Sequence, residues 1–194
     1  MMELLIAQAK DIKDTLALHY TYQVDSIADE DRADGFVTTP FTREQLELLV
    51  QKEQGLFIAR QGRDVVGYVM AASWEFWSAW PMFAYMIKGL PELSYKGTAL
   101  SVDNSFQYGP ACIHKQMRGT GVFQDLFVFS CRAMAKRYPI LVTFINKNNP
   151  RSYAAHTRKL GLDVIREFEY NNNTYYELAC EVSTYNPSGR HPVG

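Results

Sequence analysis

The chain has 194 residues, 47% of them hydrophobic and 21% charged, and its 20 basic and 21 acidic side chains give a net charge of −1. This is one-domain length with enough apolar and aromatic residues to rule out a disordered chain. The near-zero charge supplies no field to gather nucleic acid or an anionic membrane, and neither partner is expected.

Cys112, Cys131 and Cys180 are odd in number and widely spaced, without CxxC or Cys/His pairing. They read as reduced thiols of a cytoplasmic protein, and no metal site is expected. The start, MMELLIAQAKDIKD, lacks the basic region and long apolar run of a signal peptide. The most apolar stretch, 71–87, carries Glu75 and Pro81, so no membrane span is expected.

In chain order, residues 4–9 predict a first strand, and Asp11 a cap for a helix carrying Ile12, Leu16, Leu18 and Tyr20. Residues 26–35 are acidic and predict a loop. Thr42 and Gln45 have capping-box spacing, with Phe41 and Leu46 as a hydrophobic staple, so a second helix should run to about residue 54 and stop at Gly55. LFIAR, the QGRD turn and VVGYVMAAS predict a β-hairpin. Residues 74–104 are aromatic, broken by Pro81 and Pro91, and keep no single period.

SFQYGPACIH (105–114) predicts a strand with a bulge or splay at Gly109–Pro110. After Gly121 the period is helical, with Val122, Leu126, Phe129 and Ala133 on one stripe. ILVTFIN (140–146) reads as a buried parallel strand. Asn149 then caps a helix with Pro150 in its first turn and Gly161 as its stop. DVIREFEY, NNN and TYYELACE predict a closing hairpin, and one domain is expected over 1–185 with a flexible tail at 186–194.

The six residues QMRGTG (116–121) join a strand to a helix. A helix start leaves N–H groups without intrahelical partners and carries partial positive charge. Gly119 and Gly121 let backbone approach an anion there, and Arg118 adds a cation at the rim. The segment is neither a P-loop nor a GxGxxG dinucleotide turn. Spacing alone leaves two readings open, a phosphate cradle and an ordinary tight turn.

QMRGTG resembles the Q/R-x-x-G-x-G/A signature of the GNAT acetyltransferase superfamily, and NNPRSYAAHTRKLGL (148–162) is similar to that family's second motif. The resemblance is specific over 106–180, loose over 1–73, and absent over 74–104. It implies an α/β fold with a mixed sheet of about six to seven strands flanked by helices. Two parallel strands, YGPACIH and ILVTFIN, would splay to admit acetyl-CoA as co-substrate. Carried over, the pyrophosphate would lie on the loop of Gln116, Met117, Arg118, Gly119, Thr120, Gly121 and Val122, held by N–H groups of Met117, Gly119, Gly121 and Val122. Cys112, Ile113 and His114 would pair with the pantetheine arm, and Asn149 and Ser152 would touch it.

The family often places a tyrosine acid where this chain has His156; the resemblance therefore implies His156 as proton donor to the leaving thiolate, with Tyr153 as fallback. His114, Glu75 and Asp103 are the base candidates, and Cys112 reads as a small buried residue rather than a nucleophile. Phe123 stands where the family often has a small residue. Trp74, Trp77, Trp80, Phe83 and Tyr85 are expected to form an aromatic lid, with extra core or a homodimer interface as the alternatives. The function implied is acetyl transfer to a primary amine of a small molecule or peptide. A non-catalytic CoA-binding module and an unrelated phosphate binder are the competing readings.

Overall fold

The computed structural model describes residues 1–27 and 36–185. Most of the acidic loop expected over 26–35, and the tail expected at 186–194, lie outside the described residues. Among the described residues, nine strands and six α-helices follow one another as β1 (Met2–Ile6), α1 (Ile12–Tyr22), α2 (Arg43–Leu48), β2 (Leu56–Gln61), β3 (Asp64–Ala72), α3 (Trp74–Trp77), α4 (Pro81–Gly89), β4 (Ser94–Tyr95), β5 (Thr98–Ala99), β6 (Ser105–Ile113), α5 (Val122–Met134), β7 (Ile140–Asn146), α6 (Pro150–Ala154), β8 (Asp163–Tyr170) and β9 (Asn173–Glu181). Among the described residues, no helix is long and apolar enough to cross a membrane.

Seven strands form one mixed sheet in the order β1-β2-β3-β6-β7-β9-β8, while β4 and β5 make a small ribbon. Only β6 and β7 run parallel, as expected for strands joined through a helix; the other neighbours are antiparallel. Alternation along the strands sorts the buried side chains to opposite faces. Leu56 and Ile58 pack in one cluster with residues of α1 to α4, whereas Phe57 and Ala59 pack in the other with Leu126, Phe127 and Cys131 of α5.

Local signals explain most element starts. Thr42 Oγ1 accepts the Gln45 N–H at 3.3 Å and Gln45 Oε1 accepts the Thr42 N–H at 2.9 Å, the reciprocal cap read from the sequence. That helix continues into a π-helical turn, Leu49–Glu53, and Gln54 rather than Gly55 takes the left-handed turn that ends it. Asp11 does not cap α1. Its carboxylate accepts the Gln8 N–H at 2.8 Å and pairs with Arg60 at 2.7 Å, tying the helix entrance to β2.

The aromatic segment departs most from expectation. Trp74 and Trp77 are fully buried, and Phe83 nearly so. Trp74 Nε1 donates to Ser105 Oγ at 3.0 Å, and Trp77 Nε1 donates to the Gln107 carbonyl at 3.3 Å. These rings are core laid on β6 rather than a lid. Their N–H groups find partners on the strand, which lets large amphipathic side chains be buried without loss.

Trp77→Ala should therefore cost about 3–5 kcal/mol, as expected for emptying a buried aromatic site. Urea unfolding measures it; a lid residue would leave the midpoint unchanged.

Candidate active site

The site begins where β6 and β7 part. Their ladder holds for three pairs, Ser105 with Ile140, Phe106 with Leu141 and Gln107 with Val142. On its other side β6 pairs Tyr108 with Ala71 and Ala111 with Val69, so Gly109 and Pro110 stand opposite the single Met70, a one-residue bulge that bows the strand. The first carbonyl beyond the ladder, that of Tyr108, accepts from Thr143 Oγ1 at 2.7 Å and from Gln107 Nε2 at 2.6 Å. Side chains thus replace the missing strand partner.

Two adjoining hollows occupy the opening. One, of about 140 Å3, runs from the glycine turn to α6. The other, of about 80 Å3, lies against Gln107–Ala111, Phe83 and Thr143–Asn146. They share Phe36, Val37, Ala111, Asn149, Ser152 and His156, which makes them two lobes of one cleft.

Gly119 and Gly121 take φ of +87° and +95°, left-handed values that a side chain rarely adopts. Gly121 is the residue from which α5 departs, its carbonyl accepting the Asp125 N–H at 3.0 Å. The N–H groups of Val122, Phe123 and Gln124 in the first turn have no intrahelical acceptor, by the geometry of any helix start. Met117 differs from expectation. Its N–H is donated to the His114 carbonyl at 2.8 Å inside a 3-10 turn, so it does not face the cleft as a free donor.

Arg118 lines the cleft, but braced rather than solvated. Its Nε donates to the Ile113 carbonyl at 3.0 Å and its guanidinium lies 4.9 Å over the Tyr22 ring. Tyr22 in turn accepts the Lys115 N–H at 2.8 Å. His114 serves the same loop, its Nδ1 accepting the Gln116 N–H at 3.3 Å. Arg151 and Lys159 reach the same lobe from α6 and the turn after it. Three cationic residues therefore line this lobe, with no carboxylate among its described lining residues.

Asn149 caps α6 by accepting the Ser152 N–H at 3.1 Å, and its Nδ2 donates to the Phe36 carbonyl at 3.3 Å, closing the cleft's far wall. After Ala154 the helix widens into a π-helical turn, Ala155–Lys159, a feature that recurs at functional sites. The turn buries His156 with its Nδ1 donating to the Ser152 carbonyl at 2.8 Å. A carbonyl only accepts, so Nδ1 carries the hydrogen and Nε2 the lone pair. The Phe123 and Tyr108 rings stand edge-on to the imidazole at 5.2 and 6.0 Å. Burial pulls its pKa down to about 4, against a smaller opposing effect of the Ser152 bond. His156 therefore rests as a neutral imidazole at neutral pH.

The other acid and base candidates lie elsewhere. Tyr153 packs against Tyr176, ring centroids 4.5 Å apart and tilted by 36°, and does not line the cleft. Glu75 and Asp103 are exposed and line neither lobe. Cys112 borders the cleft, but burial pushes its thiol up to about 12, which leaves no thiolate for nucleophilic work. The residues not foreseen are Tyr22, Phe36, Gln107, Gln124, Arg151 and Lys159. The i, i+4 steps from Arg151 to Ala155 and from Ala155 to Lys159 could have found the α6 pair; nothing local marks Tyr22.

No family model matches the sequence, and no curated protein matches it. Solved structures do. An N-acetyltransferase from Staphylococcus aureus Mu50 is 17% identical with a TM-score of 0.60, covering 94% of this chain and 99% of its own. The ribosomal-protein-S18-alanine N-acetyltransferase of Escherichia coli is 9% identical with a TM-score of 0.61, covering 96% and 97%. The protein yncA from Salmonella typhimurium, solved with its cofactor acetyl-CoA, is 10% identical with a TM-score of 0.60, covering 100% and 98%. The chain has the fold of the GNAT-type N-acetyltransferases.

His156 is matched by a second buried histidine, His19, hydrogen-bonded through Nδ1 to the Tyr68 hydroxyl at 2.7 Å and also lowered to about 4 by burial. Both are neutral when folded and titrate near 6.5 when unfolded. Between pH 6.5 and 4 the unfolded chain binds more protons, so stability is full above 6.5 and falls with pH, by on the order of 2–3 kcal/mol per histidine. Denaturation midpoints measured from pH 7.5 to 4 should show the fall, and His156→Phe should remove about half of it.

Proposed function

We propose that this protein transfers the acetyl group of acetyl-CoA to a primary amine, by direct attack of the amine on the thioester. The observation that carries the reading is one cleft whose two walls are complementary in chemistry. A left-handed glycine turn opens α5 on one side, and Asn149, Ser152 and His156 close it on the other. The residues fit a polyphosphate ligand: first-turn N–H groups with no intrahelical acceptor, cationic side chains along the lobe, and open space where a Cβ on Gly119 would stand. When bound, acetyl-CoA supplies an acetyl group activated as a thioester.

The chain's own residues then have separable tasks. Gly119, Gly121, Val122 and Gln124 hold the pyrophosphate through backbone N–H groups, with Arg151 and Lys159 neutralising it. Backbone past the bulge, at Ala111 to Ile113, aligns the pantetheine arm as an added strand. An N–H near Ile113 polarises the thioester carbonyl. The His156 lone pair takes the proton that the amine gives up and returns it to the departing sulfur.

A second reading, a CoA-binding module without turnover, is favoured by one observation: Tyr153, the fallback acid, is turned onto Tyr176 and lines neither lobe. Thermal denaturation with acetyl-CoA, CoA and ATP separates the readings. Acetyl-CoA at 100 times its Kd should add about 2.7 kcal/mol to the wild type. Ala155→Trp, which places an indole in the cleft from a helical position, should abolish that gain without loss of fold. No gain for the wild type sinks the acetyltransferase reading. A gain without CoA release across a panel of amines leaves the binding module standing.

A further inference from the structure

The second lobe holds a polar group that nothing in the fold uses. Gln107 is 1% exposed on β6, and its Oε1 is a buried oxygen without a hydrogen-bond partner. The orientation of the carboxamide is set, because Nε2 donates to the Tyr108 carbonyl and an oxygen there would face another oxygen. Buried acceptors are normally satisfied, and one left open beside a hollow points to a ligand that brings a donor. We propose that Gln107 Oε1 receives an N–H of the acyl acceptor, and that this acceptor is a weakly basic aromatic amine, uncharged at neutral pH. The inference rests on the acetyltransferase reading and narrows its substrate.

Three further observations support the class of amine. The described residues lining this lobe include no carboxylate to pair with an alkylammonium. A buried carboxylate on the adjoining strand, Glu177, is the ladder partner of Phe144, but it is ion-paired to Arg166 at 2.7 Å and does not line the lobe. Phe83 and Phe144, edge to face at 5.6 Å, form an apolar wall that suits a flat ring. His156 stands on the wall shared with the cofactor lobe, its Nε2 lone pair unused by the Ser152 bond.

A neutral amine needs no prior deprotonation. Its lone pair forms the C–N bond and the C–S bond breaks. One amine proton passes to His156 Nε2 and then to the sulfur, giving amide and free CoA thiol.

The test compares aniline with benzylamine as acceptors, following CoA release. At pH 7 aniline should exceed benzylamine in kcat/KM by roughly tenfold or more. Its pH profile should be flat from pH 6 to 8, whereas benzylamine should rise across that range. Gln107→Leu should lower kcat/KM for aniline by roughly 10- to 100-fold with the Kd for acetyl-CoA unchanged. The fold should persist, since Thr143 still satisfies the Tyr108 carbonyl. Preference for benzylamine in the wild type, or equal aniline rates in wild type and Gln107→Leu, overturns the assignment. If acetyl-CoA binding holds in those cases, the acetyltransferase reading survives. If acetyl-CoA fails to bind at all, both fall together.

Discussion

Everything at the site follows from the point at which two parallel strands stop bonding to each other. A backbone released from a ladder keeps its donors and acceptors, and they must be satisfied. Here Gly109 and Pro110 bow β6 away while its pairing with β3 resumes at Ala111, so the strand stays anchored on one side only. Thr143 and Gln107 cover the first orphaned carbonyl, and Arg118 covers that of Ile113. The remaining edge is a template for an extended ligand, which is the physical reason a cleft sits at this place in the sheet.

Polarity is arranged by position within that cleft. The chain as a whole is nearly neutral, yet the lobe beside the glycine turn collects Arg118, Arg151 and Lys159. Net charge is thus a poor guide to local charge: the cations gather where a glycine turn and a widened helix end meet. The interior of the cleft is different, with a neutral imidazole, a carboxamide and hydroxyl groups among aromatic rings. Cations at the mouth and uncharged groups within suit a ligand whose charge is at one end and whose reactive bond is at the other.

What the sequence disclosed was local in origin. Thr42 with Gln45, Asn149 before Pro150, and Gly119 with Gly121 each reflect a backbone demand met within a few residues, and each stands in the structure where the pattern put it. The apolar run Ile140–Asn146 revealed a buried strand because burial on both faces leaves no period. The aromatic segment hid its role because Trp74 and Trp77 lie on a helix of four residues, too short to show a period, and their partners Ser105 and Gln107 are 31 and 30 residues away. The state of His156 was equally hidden. It depends on rings from α5 and β6 and on the wider turn that seats Nδ1 on Ser152. The turning inward of Arg118 depends on Tyr22, almost a hundred residues upstream. Long-range contacts of this kind decide chemistry without leaving a pattern in the chain.

The three tryptophans of the whole chain fall at Trp74, Trp77 and Trp80, on α3 and the turn that follows it. Trp77 lies between the strand and the cleft: its indole N–H rests on Gln107 and its ring lies 4.7 Å from that of Phe83. Fluorescence excited selectively in the indoles therefore originates from one small neighbourhood, beside Phe83 on the cleft wall. The molecule thus carries an intrinsic optical probe, and emission alone should report a ligand seated against Phe83, without a label or a coupled assay.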